Sequence, residues 1–115
     1  MSATDAQMAK AERFLALHHA PALLVLPNIW DPLGALILQR LGFPAVATAS
    51  AAIAYSLGSD DGERLELSEM LGSARRIAAA VDVPLTADVE SGYAEDLGDL
   101  TANVRELVRG SRPLE

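Results

Sequence analysis

The sequence predicts an α/β fold built on a parallel sheet, and three observations point to it. Helical and extended patterns alternate, a first helix being followed three times by a strand and a helix, which is the order of parallel strands joined by crossovers. The strand candidates are short continuous apolar runs, as expected when helices cover both faces of a sheet. Polar and glycine residues gather just after those runs, at the ends where parallel α/β folds place their ligands.

Each element has a local reason. Thr4 and Gln7 form a capping-box pattern, and Met8, Ala11, Phe14, Leu15 and Leu17 recur at helical spacing, so an amphipathic helix is expected over about residues 5–18. Leu23 to Leu26 reads as the first strand. Asp31 and Pro32 mark a helix start, and Leu33, Leu36, Ile37, Leu38 and Leu41 follow before Gly42 ends it. Ala45 to Thr48 is the second strand. Ser50 to Leu57 is small and apolar, a short helix or a packed loop, and Gly58 to Arg64 is a polar, acidic connection. Ser68 is expected to cap a helix over about residues 69–81, with Met70, Leu71, Ala74, Ile77, Ala78 and Val81 on its buried face. Val83 to Ala87 is the third strand, entered through Pro84. A last helix over about residues 97–109 should pack Leu100, Val104, Leu107 and Val108 and stop at Gly110.

Composition narrows the function. The 115 residues, 50% of them hydrophobic, suit one globular domain over 1–115, with 110–115 as a polar tail. Sixteen acidic against nine basic residues give a net charge of −7, which disfavours nucleic acid as a partner. The absence of cysteine excludes a disulfide framework and a thiolate nucleophile in this sequence. No apolar run approaches a bilayer span and no targeting pattern opens the chain, so a protein without membrane contact, in the cytoplasm, is expected.

The most informative stretch is Leu85 to Tyr93, where an apolar strand gives way to a glycine turn carrying Asp88 and Glu90. In an extended chain residues i and i+2 point to the same side, so both carboxylates can face one pocket while Val89 faces away. Two hard oxygen donors suit Mg²⁺ or Mn²⁺, directly or through water. The loops after the other two strands supply Asn28, Trp30 and Asp31, then Thr48, Ala49 and Ser50, and further on Asp60 and Asp61. Structural roles compete for each. Asp31 reads better as a helix cap than as a ligand, Trp30 as a packing residue at the rim, and Asn28 as turn chemistry. Thr48 and Ser50 either cap the next element or hold a substrate carboxylate, and Asp61 is favoured over Asp60 because it precedes Gly62 in a constrained turn. His18 and His19 suit the negative end of the first helix rather than catalysis. No nucleophile elbow, phosphate-binding glycine loop or paired-histidine motif is present.

Taken in order, Leu24 to Pro32, Gly42 to Ala51, Ser56 to Gly58 with Asp61 and Gly62, and Val83 to Tyr93 resemble the isocitrate lyase and phosphoenolpyruvate mutase superfamily, especially its methylisocitrate-lyase-like and phosphonomutase-like members. The resemblance implies a (β/α)₈ TIM barrel of which this chain supplies the amino-terminal three βα units behind an N-terminal helix. It also implies a Mg²⁺-dependent carbon–carbon lyase acting through an enolate on a 2-methylisocitrate-like or related oxo acid. A phosphoenolpyruvate mutase or phosphonate hydrolase of the same fold is the first rival, and a non-catalytic α/β module the second. By the same resemblance Asp88, Glu90 and Asp61 would hold Mg²⁺ or Mn²⁺, mainly through water. Ala49, Ser50, Ala51 and Asp88 would bind the substrate, and a full-length parent would be a homo-oligomer.

Two departures qualify the match. Many family members carry aspartate where this chain has Glu90, whose longer arm changes what it reaches. A (β/α)₈ barrel takes about 250 residues, so the family's strand-four glutamate, its loop with a cysteine base and its later arginine have no counterpart here. No catalytic residue is assignable within the 115 residues.

Overall fold

Side-chain caps start the first two helices. In the computed structural model, which describes residues 4–110, Thr4 Oγ1 accepts from Gln7 N at 3.2 Å and Gln7 Oε1 accepts from Thr4 N at 2.9 Å, opening α1 (Asp5–His19). After β1 (Asn28–Ile29), Asp31 accepts from Gly34 N at 2.6 Å and Pro32 supplies the first helical residue of α2 (Pro32–Arg40). The cap role of Asp31 expected from sequence is therefore the observed one.

β2 (Val46–Thr48) leads directly into α3 (Ser50–Ser56), so the small apolar stretch is a helix. A loop carries the chain to α4 (Leu67–Ala80), and β3 (Leu85–Thr86) and α5 (Leu97–Gly110) complete it. The cap of α4 differs from expectation. Glu66, not Ser68, is the N-cap residue, in a capping box closed by Glu69, so the helix begins at Leu67, two residues earlier than expected. Residues 111–115 of the anticipated tail lie outside the described residues.

The three strands form a parallel sheet in the order β1-β2-β3, with Asn28 opposite Ala47 and Val46 opposite Leu85. The first strand lies later than Leu23 to Leu26. Amides of β2 and the residue after it, Ala47 and Ala49, donate to the carbonyls of Pro27 and Ile29, which sets the ladder at residues 27–29. Leu23, expected in the strand, is 90% exposed.

One core cluster joins Ile29, Ala35, Val46, Ile77 and Val81 between the sheet and helices α2 and α4. A second, of Ile53, Ala54, Leu65 and Met70 with Tyr93 against it, anchors α3 beneath the loops that follow the strands. The face of α4 is buried much as its periodicity predicts, except that Ala78 is only half-buried and Ser73 joins the interior. Helices α1 and α5 depart further. No residue of α1 is buried, and Val104 and Val108 of α5 are exposed. The two are tied on by polar bonds as well, Gln7 Nε2 to Val108 O and Lys10 Nζ to Val81 O, each at 3.1 Å. Among the described residues no helix is long and apolar enough to cross a membrane.

Candidate functional site

The parallel register brings the loops after β1, β2 and β3 to one rim, and at Asp88 the chain leaving β2 meets the chain leaving β3. Its backbone amide donates to the buried Thr48 Oγ1 at 2.8 Å, which ties the end of β3 to the end of β2. Ser50 Oγ, also buried, donates to Asp88 Oδ2 at 2.9 Å, and Glu90 N donates to Asp88 Oδ1 at 3.0 Å. Each carboxylate oxygen can accept twice, so one acceptor direction per oxygen remains beyond these bonds. An exposed carboxylate is thus oriented by two donors, Ser50 Oγ and Glu90 N, while Thr48 fixes the backbone that carries it. Thr48 and Ser50 serve Asp88 rather than capping α3, whose N-cap is Ala49 without a side-chain bond.

Glu90 departs from the extended geometry expected of it. Regular strand pairing stops at Thr86, and Glu90 sits in the left-handed region at φ 54°. The i, i+2 alternation that would align it with Asp88 needs extended backbone, and the turn removes it. The Glu90 carboxylate swings to the turn after α3, accepting from Gly62 N at 3.1 Å and from Glu63 N at 3.0 Å. Tyr93 donates its phenol to the same carboxylate at 3.5 Å.

Glu63 answers in the opposite direction. Its Oε1 accepts from Ser91 N at 2.9 Å, Ser91 Oγ at 2.6 Å and Tyr93 N at 3.0 Å. The Ser91 hydroxyl first, then the amides of Tyr93 and Ser91, hold its carboxyl below the ordinary value of 4.5. Burial, followed by the charges of Glu90 and Glu63, a hydrogen bond to Glu90 and the charge of Asp61, pushes the Tyr93 phenol up to about 12. Asp61 stands exposed beside this turn.

Among the described residues no three Asp, Glu or His side chains converge closely enough to cage a metal ion. The donor chemistry gives a divided answer. Asp88, exposed, preoriented and with acceptor directions left over, fits a hard divalent cation that keeps most of its waters. Glu90 is placed differently: Gly62 N, Glu63 N and the Tyr93 phenol hold its carboxylate at the turn after α3, so joining Asp88 on a cation would mean leaving or sharing those bonds. Of the residues expected to bind the substrate carboxylate, Ala49 already commits its amide to Ile29 O at 3.2 Å, in the sheet. Ser50 and Ala51 remain for that role.

The other predicted residues fall outside this cluster. Asn28 is in β1 and exposed, Trp30 is 49% exposed, and the carbonyl of Asp60 accepts from Ser59 Oγ. His18 and His19 end α1, where His18 bonds Phe14 O at 2.7 Å and stacks edge-on against the Phe14 ring. Sequence reasoning overlooked Glu63 and the phenol of Tyr93. The available signal was two acidic residues beside two glycine turns, each turn offering amides that need acceptors.

Comparison with known proteins identifies the family and the fold. Residues 14–111 match the phosphoenolpyruvate phosphomutase family. The 2-methylisocitrate lyase of Aeropyrum pernix is 34% identical over 87 residues, which is 76% of this chain and 28% of that protein. A Burkholderia cenocepacia J2315 chain described as a lyase/mutase superposes with a TM-score of 0.86 at 34% identity, covering 94% of this chain and 38% of that one. Phosphoenolpyruvate phosphomutase from Streptomyces platensis subsp. rosaceus gives a TM-score of 0.80 at 32% identity, covering 87% and 34%. The chain therefore spans about a third of the length of these relatives, and its three-stranded parallel sheet corresponds to part of a TIM barrel.

Proposed function

We propose that this chain, which belongs to the phosphoenolpyruvate phosphomutase family, forms part of the substrate rim of a carbon–carbon lyase acting on a 2-methylisocitrate-like or related oxo acid. The observation that carries the reading is the three-way fixing of Asp88 by Thr48, Ser50 and the Glu90 amide. Preorientation of this kind is useful where negative charge develops on a bound substrate, because nothing then has to reorganise during the reaction. The similarity to a 2-methylisocitrate lyase supports the lyase class.

In this reading Asp88 holds Mg²⁺ or Mn²⁺ and Asp61 contributes through water. The bound ion supplies positive charge against the charge that develops on the substrate as its carbon–carbon bond breaks. Asp88 also sets where the substrate sits. Ser50 keeps the Asp88 carboxylate aimed at the rim, and the Ser50–Ala51 segment takes a substrate carboxylate. No general base is assigned in this chain, which points to binding rather than turnover by these residues alone.

The similarity to a phosphoenolpyruvate phosphomutase favours a second reading, rearrangement or hydrolysis of a phosphonate-bearing oxo acid at the same rim. Isothermal titration with Mg²⁺ and oxalate tests what the two share. The expected result is binding by the chain and its loss in Asp88→Ala; absence of binding by the unaltered chain refutes both. Phosphorus NMR of a phosphonate-bearing oxo acid, incubated with the longest available form of the protein, separates them.

A further inference from the structure

We propose that Glu63 and Glu90 form a reciprocal brace that locks the loop after α3 to the loop after β3, and that both act as positioning residues for Asp88 with Glu90 outside the cation's ligand set. The inference rests on the reading that Asp88 binds a divalent ion, but the brace is independently observable. Each carboxylate bonds two amides of the other residue's loop: Glu90 takes Gly62 and Glu63, and Glu63 takes Ser91 and Tyr93. Neither loop can shift without breaking bonds in both directions.

Backbone conformation supports the same conclusion. Among the described residues the non-glycine positions with positive φ are Glu63 at 61°, Glu90 at 54° and Tyr93 at 56°, and all three belong to the brace. Left-handed backbone is unfavourable for side chains such as these and persists only where surrounding bonds fix it. The carboxylate-to-amide bonds are the fixing element, being charge-assisted and therefore stronger than neutral ones. Their effect reaches Asp88 directly, since the Glu90 amide donates to Asp88 Oδ1. The longer arm of glutamate has a purpose here: it spans from residue 90 to the turn at 62–63, where an aspartate carboxyl would stop one methylene short.

The test uses the full 115-residue chain without metal first. Amide exchange by NMR should quicken about tenfold at all four amides, Gly62, Glu63, Ser91 and Tyr93, in either Glu63→Gln or Glu90→Gln. If each variant instead releases only the amides that its own carboxylate holds, the reciprocal brace is overturned. Mn²⁺ titration by water-proton relaxation then reads the positioning. Glu63→Gln and Glu90→Gln should each weaken Mn²⁺ about tenfold, as loss of a supporting contact does, and the double variant should be no worse than either single one. Glu90→Asp should weaken it like Glu90→Gln, because the brace needs reach as well as charge. Retained affinity in Glu90→Asp, or loss in Glu90→Gln with Glu63→Gln unaffected, makes Glu90 a ligand and refutes the proposal. Failure of the unaltered chain to bind Mn²⁺ defeats the functional reading and the positioning role together, while the exchange measurement still decides the brace.

Discussion

The hydroxyl of Ser50 donates to Asp88 Oδ2 at 2.9 Å, joining the first turn of α3 to the residue just beyond β3. The donor is buried and the acceptor exposed, so the bond fixes a solvent-facing carboxylate from the protein side. Ser50→Ala should lower stability by only about 1 kcal/mol, since an exposed acceptor recovers water. Its larger effect should be weaker Mg²⁺ and oxalate binding, because Asp88 gains rotamer freedom. Urea unfolding and calorimetric titration on the same variant check the two numbers, and an equal loss of stability and no loss of binding would contradict the assignment.

Thr48 contributes from the other side by accepting the Asp88 amide. In Thr48→Val the shape is kept but that amide loses its acceptor in a part-buried setting, with an expected cost of about 1–3 kcal/mol in urea unfolding. Thr48→Ser keeps the oxygen and should recover most of it. Destabilisation by Thr48→Ser with Thr48→Val unaffected would mean that the methyl, not the bond, matters.

Much of this arrangement was legible in the sequence and part of it was not. The order of elements, the Asp31 cap and the gathering of polar residues at one rim follow from patterns that the local chain controls. The start of β1 does not, because pairing depends on where β2 begins, and that sets the ladder at Asn28 rather than Leu23. The turn at Glu90 escaped for a related reason. Alternation along a strand predicts side-chain direction only while the backbone stays extended, and a residue driven to φ 54° by bonds to a loop 27 positions earlier carries no local mark of it.

Gly92 has a conformational role that its neighbours enforce. It lies at φ +85°, a Cβ there would run into Leu100, and Asn103 Nδ2 bonds both Gly92 O and Tyr93 O at 2.9 Å. Gly92→Ala should cost about 2 kcal/mol or more, combining left-handed strain with overpacking. Gly58, at φ +78° with open space around it, isolates the strain alone, and Gly58→Ala should cost about 1 kcal/mol. Thermal unfolding of the pair measures the difference; equal losses would remove the packing contribution assigned to Leu100.

Two pH limbs follow from the brace. Glu63 is held below 4.5 in the folded chain, so its contribution is complete above about pH 4.5 and is lost as pH falls through the folded value. The Tyr93 phenol is raised from 10.0 to about 12, so the folded state favours its neutral form; that contribution is complete below pH 10 and is lost as pH rises toward about 12. Unfolding midpoints should therefore fall on both sides. Glu63→Gln should flatten the acid limb and Tyr93→Phe the alkaline one, and an unchanged limb in either variant would assign it to other groups.

The last expectation concerns what the sheet leaves uncovered. With the order β1-β2-β3, the outer edges of β1 and β3 have no strand beside them among the described residues. Next to the β3 edge lies an apolar cavity of about 410 Å³ bounded by Val83 to Ala87, Phe14, Leu71 and Leu107. On the other side Leu23 is 90% exposed and Val25 51%, and Leu41 and Leu97 are 70% and 80% exposed elsewhere. Unpaired edges beside apolar surface are templates for association. The net charge of −7 opposes this but is screened at ordinary salt. Sedimentation velocity of the chain should accordingly show a mean sedimentation coefficient that rises with concentration, and more steeply as salt is added. Leu23→Lys, which places a charge in the exposed chain before β1, should reduce the rise. A monomer at all concentrations with a cooperative thermal transition would show that three βα units suffice to close this core, and would withdraw the expectation.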